Sequence, residues 1–348
     1  MEINENHNVM KDYSNYSLLG HNTFGIDAKC KRFVEYYSVQ EAQQLARSLT
    51  CSDEPLLIVG SGSNLLLTKD FPGTVVHSAI LGHEIVGETE NGDVLLRCGS
   101  GVEWDSFVAL CVENGWHGVE NLSLIPGEVG ASAVQNIGAY GAEAKDVIDS
   151  VEAVCIATGD VVTFSNADCC YAYRDSKFKH EWKNKYLVTH VTYRLSKEFV
   201  PKLDYGNIRK SLDAKGITNL SAAELRQTII EIRRAKLPDP KALGNAGSFF
   251  MNPIVPRDVF ERLASKYNDM PHYVIDDGHV KIPAGWMIEQ CGWKGRSLGH
   301  AGVHKNQALV LVNNGGATGQ EVLDLCNRII KDVKETFGIE IHPEVNVI

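Results

Sequence analysis

The spacing of apolar and polar positions divides the chain into short helices and strands, with most of the strands in its first half. Residues 41–50 carry the spacing of a helix. The apolar run 56–59 reads as a strand that ends in Gly60-Ser61-Gly62-Ser63-Asn64, followed by a second strand at Leu65-Leu66-Leu67. Further strands are predicted at 74–80 and 94–98, and a helix at 104–114 closes at Gly115. Segments 150–156, 161–164 and 186–195 are rich in Val, Tyr and Thr, which favour strands.

The pattern then becomes more helical. Ser221 stands three residues before Glu224, a capping-box spacing, and the helix it opens aligns Leu225, Ile229 and Ile232 on one face. That helix must stop before Leu237-Pro238-Asp239-Pro240, because proline cannot continue it. A domain boundary is placed there. The last third predicts a helix around 256–267, a strand at 308–312 and a long helix at about 318–336. In the long helix Val322, Cys326, Ile329, Ile330 and Val333 form a core stripe.

Composition narrows the class. A chain of 348 residues exceeds one ordinary core, so two or three domains are expected. No apolar run approaches the roughly 18 to 20 residues of a membrane span. The N-terminus lacks the basic and apolar regions of a secretory signal, so the expected address is the cytoplasm. A net charge of −10 disfavours nucleic acid as a partner. The nine cysteines are odd in number and lack CxxC spacing, and no His pair has ligand spacing. Reduced thiols and no metal site are therefore expected.

Three segments are dense in Gly, Asn and Ser. The first is Gly60–Asn64, which lacks both the dinucleotide fingerprint and the P-loop lysine; a phosphate cradle and a tight turn both fit it. The second, Leu124–Gly141, reads as backbone packed closely against something large and flat, or as a compact buried loop. The third, Gly244–Pro253, reads as a loop carrying Ser248 ahead of Phe249-Phe250. Taken singly, Ser248 is a turn serine, Arg174 a surface ion pair, and Glu344 an exposed residue near the chain end.

In order along the chain, these segments resemble the UDP-N-acetylenolpyruvoylglucosamine reductases of bacterial peptidoglycan synthesis. The resemblance starts at Asn22-Thr23-Phe24-Gly25-Ile26. It continues through Ile125-Pro126-Gly127, Gln135-Asn136-Ile137-Gly138-Ala139-Tyr140-Gly141 and Tyr173-Arg174-Asp175-Ser176. It closes with Lys236-Leu237-Pro238-Asp239-Pro240, Gly244–Phe250 and His342-Pro343-Glu344. Three departures stand out: Gly-Ser-Gly-Ser-Asn in the first loop, Gly-Ala-Ser-Ala at 130–133, and Asn346 where arginine is frequent.

The resemblance implies an α+β fold of three domains, with two forming a vanillyl-alcohol-oxidase-type (PCMH-type) FAD-binding fold and a C-terminal α/β domain for substrate. The expected bounds are 1–78, 79–235 with a tyrosine-bearing loop, 236–340, and a tail at 341–348 that returns to the active site. Non-covalent FAD would lie against Gly60, Ser61, Gly62, Ser63, Asn64, Ile125, Pro126, Gly127, Gly130, Ser132, Gln135, Asn136, Gly138, Tyr140 and Gly141. The UDP-sugar would meet Tyr205, Lys236, Asn252, Tyr273 and Gln307.

The implied reaction uses NADPH to reduce FAD and then sends hydride from flavin N5 to C3 of the enolpyruvyl ether. Negative charge then builds on C2 and the carboxylate. Arg174 would grip that carboxylate, Glu344 would orient Arg174 or donate to the enol, and Ser248 would protonate C2. A monomer is expected. The alternatives are an FAD-dependent oxidase on the same scaffold and a nucleotide-sugar binding protein without turnover.

Overall fold

The structure, a computed structural model, describes residues 9–348, and the chain divides into two compact units. The first takes the chain up to Tyr16 together with Cys30–Ser61 and Pro72–Arg233. The second takes Ser17–Lys29, Gly62–Phe71 and Arg234–Ile348. Helices and sheets are mixed in both, so the class is α+β.

Among the described residues the first unit holds two larger sheets. One runs in the order Lys11–Ser17, Lys29–Tyr36, Phe71–Ser78, Leu56–Val59, and its last pair is parallel from Leu56 opposite Thr74 to Val59 opposite His77. The other is antiparallel, in the order Val161–Ser165, Ile148–Cys155, Tyr186–Leu195, Val94–Gly99, His83–Glu88. The sequence pattern omitted His83–Glu88. It is an edge strand with nearly every residue exposed, so it carries no apolar alternation to read.

Trp104 and Phe107, on the helix Trp104–Glu113, are fully buried with Tyr193; the Phe107 and Tyr193 rings lie 4.5 Å apart. The Trp104 indole donates to the Leu122 carbonyl at 2.9 Å, which removes the cost of burying its N–H. Burying each such ring contributes about 1.5–3 kcal/mol.

Two glycine-rich segments expected to be loops are regular structure instead. Residues Val129–Gln135 form a helix, followed by a hairpin of Gly138–Ala139 and Ala142–Glu143. Gly, Ala and Ser provide no apolar period, but they let this helix lie close enough for the Gly130 N–H to donate to the Ser100 carbonyl at 2.8 Å. Gly244–Ser248 is likewise a strand, paired antiparallel with Val310–Asn313.

In the second unit that pair opens a four-stranded sheet completed by Ala301–Val303 and Ser297–Leu298. A three-stranded sheet holds Ile254–Pro256, His279–Lys281 and Tyr273–Val274. The helix Gly319–Phe337 is capped reciprocally by Thr318 and Glu321 and ends at Gly338 with φ 70°. Val322, Cys326, Ile329 and Val333 are buried as the spacing required, with Leu325 and Phe337 completing the stripe and Ile330 only half-buried. Leu65–Leu66 pairs in parallel with Asn346–Val347, from near the end of the chain.

Among the described residues no helix is long and apolar enough to cross a membrane. All nine cysteines are free thiols.

Candidate active site

In the first unit the strand Leu56–Val59 delivers Gly60 and Ser61. A Cβ on Gly60 would stand 3.0 Å from Glu128 Oε2 and 3.4 Å from Ala131 Cβ, so the turn lies against the start of the helix Val129–Gln135. The Ser61 hydroxyl and the Gln135 amide nitrogen are buried without a hydrogen-bond partner. Buried polar atoms are rarely left so, and a bound polar group would satisfy both.

The neighbouring residues are committed to the protein itself. The Ser132 hydroxyl donates to Val129 at 2.7 Å and meets the Tyr193 hydroxyl at 2.8 Å. Asn136, with φ 45°, spends its amide on the Ala172 carbonyl and Glu143 and accepts from Lys145 N–H. The Gly127 carbonyl accepts from Trp104, while Ile125 is half-buried and Pro126 exposed. These positions shape the segment through backbone and packing.

Arg174 adopts φ 56° and donates to the Gly138 carbonyl. A Cβ on Gly138 would fall 2.7 Å from the Arg174 guanidinium, so a side chain there would displace it from this position. Lys179 holds the Arg174 carbonyl at 2.7 Å. Tyr205 is 45% exposed, and its Cβ lies 3.3 Å from where a side chain on Gly141 would begin. Tyr140 packs against Gly206, and the Asn121 amide ties Tyr140 to Lys202 at 2.8 and 2.9 Å.

Sequence reasoning missed Arg233. Its Nε donates to the Leu124 carbonyl at 3.3 Å, beside Ile125-Pro126-Gly127. Burial lowers its pKa against the opposing pull of Tyr140 and Asp105. Nothing in helical periodicity distinguishes it from its exposed neighbour Arg234. Equally hidden was a buried row behind Gly60, in which His77 bridges Glu35 and Glu128.

In the second unit Gly62 has φ 69°, and a Cβ there would fall 1.9 Å from the His21 carbonyl oxygen. Ser63 and Asn64 follow, both half-buried. The Asn64 carbonyl accepts both the backbone and amide N–H groups of Asn346 at 3.1 Å, and its own amide donates to the Glu344 carbonyl at 3.3 Å. Asn346 therefore anchors the tail.

Ser248 is exposed at the end of its strand. Gly247, at φ 68°, donates to the Asn245 side chain at 2.9 Å and makes a bulge between Asn245 and Ser248. Such a bulge re-aims the following side chain. Thr23 fixes the strand from the other side, exchanging 3.0 and 2.6 Å bonds with Asn245. The Glu344 N–H donates to the Phe249 carbonyl at 2.8 Å, and Phe250 bridges Pro343. Glu344 is thus half-buried beside the Ser248 strand; the exposure expected of a chain end does not occur.

The remaining positions spread across this unit. Asn252 accepts from the Ala284 N–H at 2.9 Å, and Gln307 Oε1 lies 3.2 Å from a Cβ on Gly285, so both meet the first turn of the helix Ala284–Gln290. Tyr273 is 47% exposed opposite Lys281. Lys236 is exposed.

Comparison with known proteins agrees with these features. A family model described as "FAD binding domain" matches residues 31–165, and one described as "UDP-N-acetylenolpyruvoylglucosamine reductase, C-terminal domain" matches residues 239–348. The first span contains the unpartnered Ser61 and Gln135, a donor set that fits an acceptor-rich cofactor. The chain has an FAD-binding domain.

A UDP-N-acetylenolpyruvoylglucosamine reductase of Bacteroides fragilis is 55% identical over 333 residues, 96% of this chain and 99% of that one. Its counterpart in Flavobacterium johnsoniae is 46% identical over 340 residues, 97% and 100% of the two chains. The crystal structure of the Thermus caldophilus enzyme shares the fold at a TM-score of 0.66 and 20% identity, covering 97% of this chain and 98% of that one. The chain belongs to the UDP-N-acetylenolpyruvoylglucosamine reductase family.

Proposed function

We propose that this chain reduces UDP-N-acetylenolpyruvoylglucosamine for peptidoglycan synthesis, with NADPH as the source of electrons and Ser248 as the proton donor. The supporting observation lies in the second unit. The 2.8 Å bond from Glu344 to Phe249 brings the family's tail motif onto the backbone beside Ser248.

Ser61 and Gln135 would hold the FAD, their unpartnered polar atoms meeting its acceptors. When bound, FAD supplies hydride to the vinyl carbon of the enolpyruvyl group. The chain's own work is to manage the charge and the proton. Arg174 is held by Gly138 and presents a guanidinium that can grip a carboxylate bidentately. Ser248, aimed by the Gly247 bulge, gives its hydroxyl proton to the adjacent carbon. Glu344, in the tail segment bonded to Phe249, would support that transfer. Tyr205, Lys236, Asn252, Tyr273 and Gln307 are assigned to the UDP-sugar. The same reading carries the expectation of a cytoplasmic monomer.

The test is NADPH oxidation by the purified flavoprotein with and without the enolpyruvyl UDP-sugar. Oxidation that requires the sugar, with one product formed per NADPH, supports the reading. Oxidation driven equally by oxygen alone would favour an oxidase.

A further inference from the structure

Behind the Gly60-Ser61 turn lies a charged row that the reaction does not use. His77 Nδ1 stands 2.8 Å from Glu35 Oε2, and Nε2 stands 3.2 and 3.3 Å from the two oxygens of Glu128. All three side chains are at most 13% exposed. Carboxylate oxygens only accept, and a neutral imidazole has one N–H; the protonated ring is the form that satisfies both partners.

The two carboxylates are not equally provided for. Glu35 also pairs with Lys11 at 2.8 Å and accepts from the Tyr37 hydroxyl. Among the described residues, His77 is the one cation paired with Glu128. Glu128 occupies the N-cap of the helix Val129–Gln135 but makes no capping bond. The Val129 and Gly130 N–H groups already donate to Val102 and Ser100. The carboxylate instead lies between His77 and the turn, with Oε2 3.0 Å from where a side chain on Gly60 would begin.

We propose that His77 is a positioning residue for the cofactor: its imidazolium pins and neutralises Glu128, keeping the Gly60-Ser61 turn open to the anionic diphosphate of FAD. This rests on the reading that the turn receives FAD. Without the cation, a buried carboxylate would face the same turn as the diphosphate and oppose its binding.

Burial lowers the His77 pKa, but the hydrogen bonds and charges of Glu128 and Glu35 outweigh it and leave the pKa raised. Also at the row are Lys11 and Tyr37 on Glu35, Tyr36 within reach of the Glu128 charge, and the neutral Ser78–Ser100 hydroxyl pair. None of these supplies a second cation to Glu128. FAD affinity should therefore fall as pH rises through the raised His77 pKa.

The experiment is titration of the apoprotein with FAD, read by quenching of flavin fluorescence from neutral to alkaline pH. The set is wild type, His77→Gln, Glu128→Gln, the double variant and Ser61→Ala. His77→Gln should weaken FAD binding roughly tenfold at neutral pH, the scale of a partly buried charge interaction, and remove the alkaline fall. The double variant should recover to within roughly threefold of wild type, because both charges leave together. Ser61→Ala should weaken binding equally at every pH.

If Ser61→Ala weakens binding while His77→Gln matches wild type, the proposal falls and the turn remains the cofactor site. A double variant as weak as His77→Gln also overturns it. If neither Ser61→Ala nor His77→Gln changes affinity, the reading of the turn itself fails. Should His77→Gln not fold, Glu128→Gln decides: a persisting alkaline fall in its affinity contradicts the proposal.

Discussion

The backbone N–H of Glu344 donates to the carbonyl of Phe249 at 2.8 Å. This bond ties the fifth residue from the chain end to the residue following Ser248. Asn64 reinforces it from a third segment through its bonds to Glu344 and Asn346. Residues far apart in sequence are thereby held together by hydrogen bonds onto backbone carbonyls.

Asn346→Ala removes one of the two bonds from Asn346 to the Asn64 carbonyl. It should lower stability by about 0.5–1.5 kcal/mol. It should also lower kcat, because the support of the Glu344 tail is loosened. Urea denaturation and steady-state kinetics on the same preparation check both effects.

Gly62→Ala meets two obstacles at once, a φ of 69° and a Cβ contact of 1.9 Å with the His21 carbonyl. The backbone must move, so the loss should reach about 3 kcal/mol or more. A denaturation midpoint close to wild type would contradict the geometry.

These two predictions use relationships that the sequence pattern did not reveal. Periodic apolar stripes were legible: Leu225, Ile229 and Ile232 are buried on the helix Ala222–Lys236, and Ser221 and Glu224 form the expected capping box. The helix Val129–Gln135 and the strand Gly244–Ser248 were not legible, because Gly, Ala, Ser and Asn give no periodic signal. Their conformation is imposed by close neighbours such as Ser100 and Thr23. The parallel pairing of Leu65 with Asn346 was out of reach for a different reason: local propensity says nothing about a partner 281 residues away (346 − 65). Motif order marked Arg174, Ser248 and Glu344 as candidates. Arg233 and His77 lie outside those motifs and emerged only from packing.

Glu35 makes acid stability testable. Burial would raise its pKa, but hydrogen bonds from Lys11, Tyr37 and His77 hold it at about 2, against an ordinary 4.5. A depressed carboxylate contributes stability that is full above its unfolded pKa and is lost as pH falls toward the folded value. The Tm difference between wild type and Glu35→Gln should therefore shrink from pH 4.5 down to about 2. A difference independent of pH over that window would show that packing, and not ionisation, sets it.

Lys236→Ala should raise the KM for the UDP-sugar about tenfold or more, with kcat little changed, as expected when a binding cation is lost. Initial-rate kinetics at saturating NADPH measure both constants. An unchanged KM would place Lys236 off the substrate path.

Ser248 is assigned a proton transfer in one half-reaction only. The direct measurement is anaerobic stopped-flow absorbance of Ser248→Ala, following flavin reduction by NADPH and then reoxidation by the enolpyruvyl UDP-sugar. The expected result is a near wild-type first phase and a second phase slowed by about 10²–10⁴, the usual share of a positioned general acid. Equal slowing of both phases, or a second phase at the wild-type rate, would contradict the assignment.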